Sequence, residues 1–196
     1  MQHYTGYKVG VLALQGAVSE HIEQLQSLGV EAIVVKKVAD LAMLDGLILP
    51  GGESTTIGKL MYEYGFIEAI KQFAKQGKAI FATCAGMILL AKEIVGEENI
   101  YLSLMDIAVQ RNAFGRQVDS FQSDINVQGL QGTFPAIFIR APYVHSILSK
   151  KVAVLAEVDN HPVLVKQEKL LACSFHPELS QDNRIMQLFL AMVAGD

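Results

Sequence analysis

The sequence predicts an α/β fold in three layers: a mostly parallel central sheet, helices on both of its faces, and antiparallel additions in the second half. Three observations carry that prediction. Short apolar runs alternate with helix-length amphipathic stretches through the first half of the chain. The runs lack polar alternation, which is how a strand buried on both faces reads. The second half offers short strand-like runs separated by turn residues, with few helix signals, which favours antiparallel pairing. Alternating β and α units of the first kind build a parallel sheet covered by helices.

The elements follow in order. Val9-Gly10-Val11-Leu12-Ala13-Leu14 reads as the first buried strand, ended by Gln15-Gly16. A helix is expected from Val18 to Leu28, with Ile22, Leu25 and Leu28 on one stripe and Gly29 as its stop. Ala32-Ile33-Val34-Val35 and Leu47-Ile48-Leu49 read as strands two and three. Beyond Pro50-Gly51-Gly52-Glu53-Ser54, a helical region runs from Thr55 to Gln76, divided at Gly65. Ala79-Ile80-Phe81-Ala82-Thr83 is the central strand, and Met87 to Ala91 are helix formers that continue into Lys92 and Glu93. Strands are then expected at Ile107–Val109, Ile125–Val127, Ala136–Ile139, Val152–Leu155, Val163–Val165 and Leu170–Phe175. A last helix places Ile185, Leu188, Phe189, Met192 and Val193 on one core-facing stripe.

Bulk properties narrow the function. The 196 residues are 51% hydrophobic and 18% charged, with a formal net charge of −4, which suits one globular domain over the whole chain. Lys and Arg never cluster beyond a pair, so the electrostatic footprint of a nucleic-acid binder is missing. No apolar run approaches the ~20 residues of a membrane span. The opening residues 1–7, a leader to the first strand, lack the charged and apolar regions of a secretory signal. Two cysteines in apolar strand-like contexts fit a reducing compartment, so a cytoplasmic location is expected.

One stretch carries chemistry. Cys84 stands between the central strand and a helix, flanked by the small residues Ala82 and Gly86. A small-x-nucleophile-x-Gly turn from strand to helix is a nucleophile elbow; the following helix's free N–H groups and positive dipole end favour a thiolate there. A cysteine nucleophile needs a base and a group to orient that base. Of the five histidines, His21 reads as a surface or capping residue beside Glu20, and His145 and His161 fall in loop-like segments. His176 directly follows a strand and opens His176-Pro177-Glu178, where residues i and i+2 project to one side and Pro177 stiffens the spacing. Glu178 can then hold one ring nitrogen while the other faces the thiol. Pro50-Gly51-Gly52-Glu53-Ser54 adds a glycine turn at a third strand end. Gly51 and Gly52 can turn an N–H inward as an oxyanion hole, with the Ala85 N–H as the second donor. There is no P-loop and no zinc-like Cys/His spacing, so neither metal nor cofactor is expected.

With these pieces placed, the chain resembles the class I (triad) glutamine amidotransferase family, and within it the glutaminase subunits of pyridoxal 5'-phosphate synthase. The broad resemblance rests on Cys84, the Gly51-Gly52 turn and His176-Pro177-Glu178. The narrower one rests on Gln15-Gly16-Ala17-Val18, Leu49 through Thr56, Arg111 through Phe121, and Phe138-Ile139-Arg140-Ala141-Pro142. Departures are small: Ala82 for a frequent glycine, Ala113 for serine, Ser19 for arginine and Tyr143 for histidine. The resemblance implies a flavodoxin-like fold and hydrolysis of L-glutamine to glutamate and ammonia through a glutamyl thioester on Cys84. It implies that Gly52, Glu53, Ser54, Arg111, Ile139 and Arg140 line the glutamine pocket and that Gln15 gates the oxyanion loop. It further implies that the chain's partner is a (β/α)8-barrel synthase, met in a ring-based hetero-oligomer. Read from the residues alone, two alternatives stay open. A cysteine peptidase or hydrolase on a related fold would need a peptide groove and no paired arginines. A silent binding module would bury Cys84 as packing.

Overall fold

The computed structural model describes residues 4–111 and 120–195; Met1–His3 and most of the Arg111–Phe121 block lie outside them. The first half builds β1 (Lys8–Leu12), α1 (Val18–Ser27), β2 (Glu31–Val35), β3 (Gly46–Leu49), α2 (Ser54–Glu63), α3 (Phe66–Lys75), β4 (Ala79–Thr83) and α4 (Ala85–Leu90). Then come β5 (Ala91–Ile94), β6 (Met105–Gln110), β7 (Ser120–Asn126), β8 (Thr133–Ile139), β9 (Tyr143–Ile147), β10 (Ala153–Val158), β11 (His161–Gln167), β12 (Leu170–Cys173) and α5 (Arg184–Ala194). Gly65 divides the long helical region in a left-handed conformation, φ 76°, which glycine adopts without steric cost.

Seven strands form the central sheet in the order β10-β11-β12-β4-β3-β1-β2. The five from β12 to β2 run parallel, and β11 and β10 extend the edge antiparallel. One face packs against α2, α3 and α4 through Ile57, Met61, Phe66, Ile70, Phe73 and Leu89. The other packs against α1 and α5 through Leu25, Leu28, Ile185, Phe189 and Leu190. β4 is buried along its whole length, as a strand covered on both faces must be.

Three expectations need correction. The elbow helix does not continue into Lys92 and Glu93: it stops at Leu90, and Ala91 turns the chain into β5. Pairing of β5 with β6 overrides the helix propensity of these residues. The strands β5, β6 and β9 form a sheet of their own, and β7 and β8 form a hairpin, so only β10 and β11 are antiparallel additions to the main sheet. His145 and His161 lie in strands β9 and β11, not in loops.

Candidate active site

Three neighbouring strands of the sheet end together. β12 delivers His176-Pro177-Glu178, β4 delivers Cys84, and β3 delivers Gly51-Gly52-Glu53. Ligand sites of open α/β sheets gather at these carboxyl ends.

Cys84 adopts φ 48° and ψ −107°, a region that a residue with a side chain occupies only at a cost of about 1–3 kcal/mol. This is the elbow conformation. Its N–H donates to the Cys173 carbonyl at 2.8 Å and its carbonyl accepts from the Met87 N–H at 3.0 Å, pinning the turn from both sides. Gly86 is required here because an added Cβ would collide with the Leu49 carbonyl oxygen. The backbones of α4 and β3 touch at that point. The Ala85 N–H, first in its helix, has no acceptor within the helix.

The His176 ring is buried and shares its Nδ1 with Glu178 Oε1 at 2.7 Å. Its backbone N–H donates to the Ile137 carbonyl at 2.8 Å. Burial disfavours the charged ring, but the neighbouring Cys84 thiol and the bonded Glu178 carboxylate outweigh it and raise the pKa from 6.5 to about 10. Burial pushes the Glu178 carboxyl up; His21 and the bond to His176 overcome that and carry it below the ordinary value. The Cys84 thiol also faces the Ile139 carbonyl, 3.9 Å away. Cys173 is fully buried, and burial first, then Glu178, pushes its thiol well above the ordinary value.

A cavity of 380 Å³ opens above these groups, lined among others by Gln15, Gly52, Glu53, Ser54, Cys84, Ala85, Arg111, Ile139, Arg140 and His176. Every expected substrate-pocket residue is therefore on its wall. Gly51 is not. Its N–H donates to Thr83 Oγ1 at 3.1 Å, so the pair of expected oxyanion donors from this loop reduces to Gly52. What Gly51 does is steric: a Cβ there would lie 2.6 Å from His176 Cε1. Gln15 braces the loop, its Oε1 accepting from the Glu53 N–H at 2.8 Å.

Glu53 caps α2. Its carboxylate accepts from the N–H groups of Thr55 and Thr56 and from the Thr56 hydroxyl, and the Thr56 hydroxyl is the first cause of a pKa lowered to about 2. Arg111 is clamped by Glu97, with Nε 2.5 Å from Oε1, by the Tyr101 hydroxyl at 3.3 Å and by Ser54. The arginine thus combines an ion pair with a place on the cavity wall. Glu97 and Tyr101 carried no sequence signal. The other residue missed is His21. It is fully buried, with Nε2 3.6 Å from Glu178 Oε2 and 3.2 Å from Thr83 Oγ1, not at the surface as its neighbour Glu20 suggested. An i, i+3 and i+4 apolar count around position 21 would have placed it on the inner stripe with Leu25 and Leu28.

A thiol, an imidazole bonded to a carboxylate, the backbone of a glycine turn and a helix start, and a guanidinium around one cavity are the groups that acyl transfer from an amide uses. Residues 11–195 match the model of the SNO glutamine amidotransferase family. The chain belongs to this family. A curated relative from Pasteurella multocida, named pyridoxal 5'-phosphate synthase subunit PdxT, is 60% identical over 98% of this chain and 100% of its own length. One of the same name from Niallia circulans is 55% identical over 95% and 97%. A crystal structure of a glutamine amidotransferase superposes with a TM-score of 0.90 at 52% identity, covering 95% of this chain and 98% of the other. PurLQS from Thermotoga maritima shares the fold at 17% identity, with a TM-score of 0.65 over 97% of this chain and 96% of that one. The chain is accordingly an enzyme of the glutamine amidotransferase type with that family's flavodoxin-like fold. Among the described residues, no group of three or more His, Cys, Asp or Glu side chains could hold a metal ion, and no helix is long and apolar enough to cross a membrane.

Proposed function

We propose that this chain is the glutaminase subunit of a pyridoxal 5'-phosphate synthase and works through a Cys84-His176-Glu178 triad. The observation that carries the reading is the His176 ring, held by Glu178 Oε1 at 2.7 Å on the wall of the cavity that the Cys84 thiol also lines. His176 takes the thiol proton, and the sulfur attacks the side-chain carboxamide carbon of glutamine. The N–H groups of Gly52 and Ala85 receive the oxyanion. The imidazolium then protonates the departing nitrogen, the C–N bond breaks, and ammonia leaves a γ-glutamyl thioester on Cys84. Water, deprotonated by His176, attacks the thioester; glutamate departs and the thiol is restored. Arg111 and Arg140 face the same cavity, where a guanidinium fork suits the substrate's α-carboxylate. Glu53, Ser54 and Ile139 complete the wall, and Gln15 sets the loop that carries Gly52.

The names of the PdxT relatives support the synthase assignment. Ammonia released into neutral water is mostly protonated and no longer nucleophilic, so productive use requires a second protein docked over the site. We assign that role to a (β/α)8-barrel synthase in a ring-based assembly in the cytoplasm, with the whole chain 1–196 acting as one domain. The test is ammonia release from L-glutamine by the purified chain, alone and with the barrel synthase. Release that depends on Cys84 and rises with the partner is expected. Hydrolysis that persists in Cys84→Ala, or hydrolysis of peptides in preference to glutamine, would overturn it.

A further inference from the structure

The fully buried His21 is a titratable group that the triad chemistry leaves unused. It sits on α1, behind Glu178 as seen from His176. Its Nε2 faces two oxygens, Thr83 Oγ1 at 3.2 Å and Glu178 Oε2 at 3.6 Å. Glu178 Oε1 is taken by His176, while Glu178 Oε2 is buried with no hydrogen-bond partner, and His21 Nε2 faces it from 3.6 Å. With the proton on Nε2, His21 turns a donor toward both oxygens and strands only the lone pair of Nδ1. The opposite tautomer would bury an orphaned N–H and point a lone pair at a carboxylate, which costs more. Burial is the first cause of a lowered His21 pKa, with Glu178 opposing it and His176 and Glu20 as the remaining charged neighbours, so the ring is a neutral donor.

The neighbouring contacts point the same way. Gln24, one turn along α1, donates to the Pro177 carbonyl at 3.2 Å, so i and i+3 on one helix face grip the His176-Pro177-Glu178 turn together. Thr83 accepts from the Gly51 N–H at 3.1 Å, and the Ala17 N–H ahead of α1 donates to the Gly51 carbonyl at 3.0 Å. One helix therefore ties the triad's acid to the glycine loop.

We infer that His21 is a positioning residue for catalysis, its Nε2–H turned toward the free oxygen of Glu178 so that the N–H dipole keeps the carboxylate ionised and aligned on His176. The inference rests on the triad reading above. Without that dipole, the buried carboxyl would take up a proton more readily, and His176 would lose its anchor.

The test compares His21→Leu, His21→Asn and His21→Gln with the parent. Glutamine's side-chain amide can place an N–H near the position of Nε2; asparagine's is too short. In the complex with the barrel synthase, kcat for ammonia release should fall at least about tenfold in the Leu and Asn variants, with KM for glutamine within about twofold, and His21→Gln should recover most of it. Iodoacetamide labelling of Cys84 in the chain alone, which needs neither glutamine nor partner, should slow in the same order. The inference is overturned if His21→Asn keeps kcat and labelling rate within twofold of the parent, or if Gln and Asn lose both equally. Should His21→Leu fail to fold, the Gln and Asn pair still decides. If the parent itself releases no ammonia with the synthase, the glutaminase reading falls while labelling continues to report on His21.

Discussion

Replacing Gly51 with alanine tests the seating of the catalytic imidazole most directly. The new Cβ would lie 2.6 Å from His176 Cε1, 3.2 Å from Nδ1 and 3.4 Å from Cys84 Cβ. Ordinary van der Waals contact begins near 3.4 Å, so the ring must retreat by about 0.8 Å. It cannot do so freely. Cε1 is bonded to both ring nitrogens, Nδ1 is tied to Glu178 at 2.7 Å, and the backbone is fixed by the Ile137 carbonyl. Any retreat disturbs the bond to Glu178 and the ring's place beside Cys84 at once. A displacement approaching 1 Å at reacting groups costs on the order of 10²-fold in rate, equivalent to about 2.7 kcal/mol of barrier, while overpacking costs about 1–3 kcal/mol of stability. The assay is kcat for ammonia release in the complex, alongside the thermal midpoint of the free chain. A kcat within about threefold of the parent would refute the reasoning, because the ring would then not rest against this glycine in the working enzyme.

The remaining predictions concern the same groups. Cys84→Ala should abolish glutamine hydrolysis and iodoacetamide labelling while synthase docking, followed by gel filtration, survives; Cys173 stays unlabelled because it is buried. Glu97→Gln weakens the clamp on Arg111 and should raise KM for glutamine roughly threefold to tenfold with kcat held, a modest effect because the pair is partly exposed. His176→Asn should leave glutamine bound but unhydrolysed, seen as binding by calorimetry without ammonia release. The same variant tests the raised His176 pKa: a group whose folded pKa of about 10 exceeds its unfolded value of 6.5 adds stability that is fully present below 6.5 and disappears as pH rises through 10. The parent's advantage in thermal midpoint over His176→Asn should therefore shrink steadily across that window, and a constant advantage would contradict the assignment of charge to the ring.

The parallel half of the fold was legible because its signals are local. A strand buried on both faces shows an unbroken apolar run, as β3 and β4 do, and Gly65 marked its helix break through backbone freedom alone. The second half was harder for an equally physical reason. β9 buries one residue squarely, Val144, and is otherwise half-covered or exposed, so its sequence carries no period; what makes it a strand is antiparallel pairing to β6. β5 is the same case with a misleading local preference, since helix formers there are recruited by a partner strand a loop away.

The site divides along the same line. Cys84, Gly51-Gly52 and His176-Pro177-Glu178 were visible because each must satisfy a turn geometry that few residue types tolerate, and turns are written in adjacent residues. Which of them would meet was an inference from strand ends, and the strand order β12-β4-β3 supplies it. His21, Glu97 and Tyr101 satisfy no local rule. Each is an ordinary residue on an ordinary helix or loop, and its importance exists only through a partner distant in sequence: Glu178 for the first, Arg111 for the other two. The groups that perform the proposed chemistry are thus legible one at a time, whereas the groups that hold them are legible only as pairs. It follows that the supporting residues are where close relatives can differ in rate while keeping the same motifs. A chain with the Cys84, Gly51-Gly52 and His176-Pro177-Glu178 elements intact but a leucine at position 21 should retain the fold and the substrate pocket and turn over slowly.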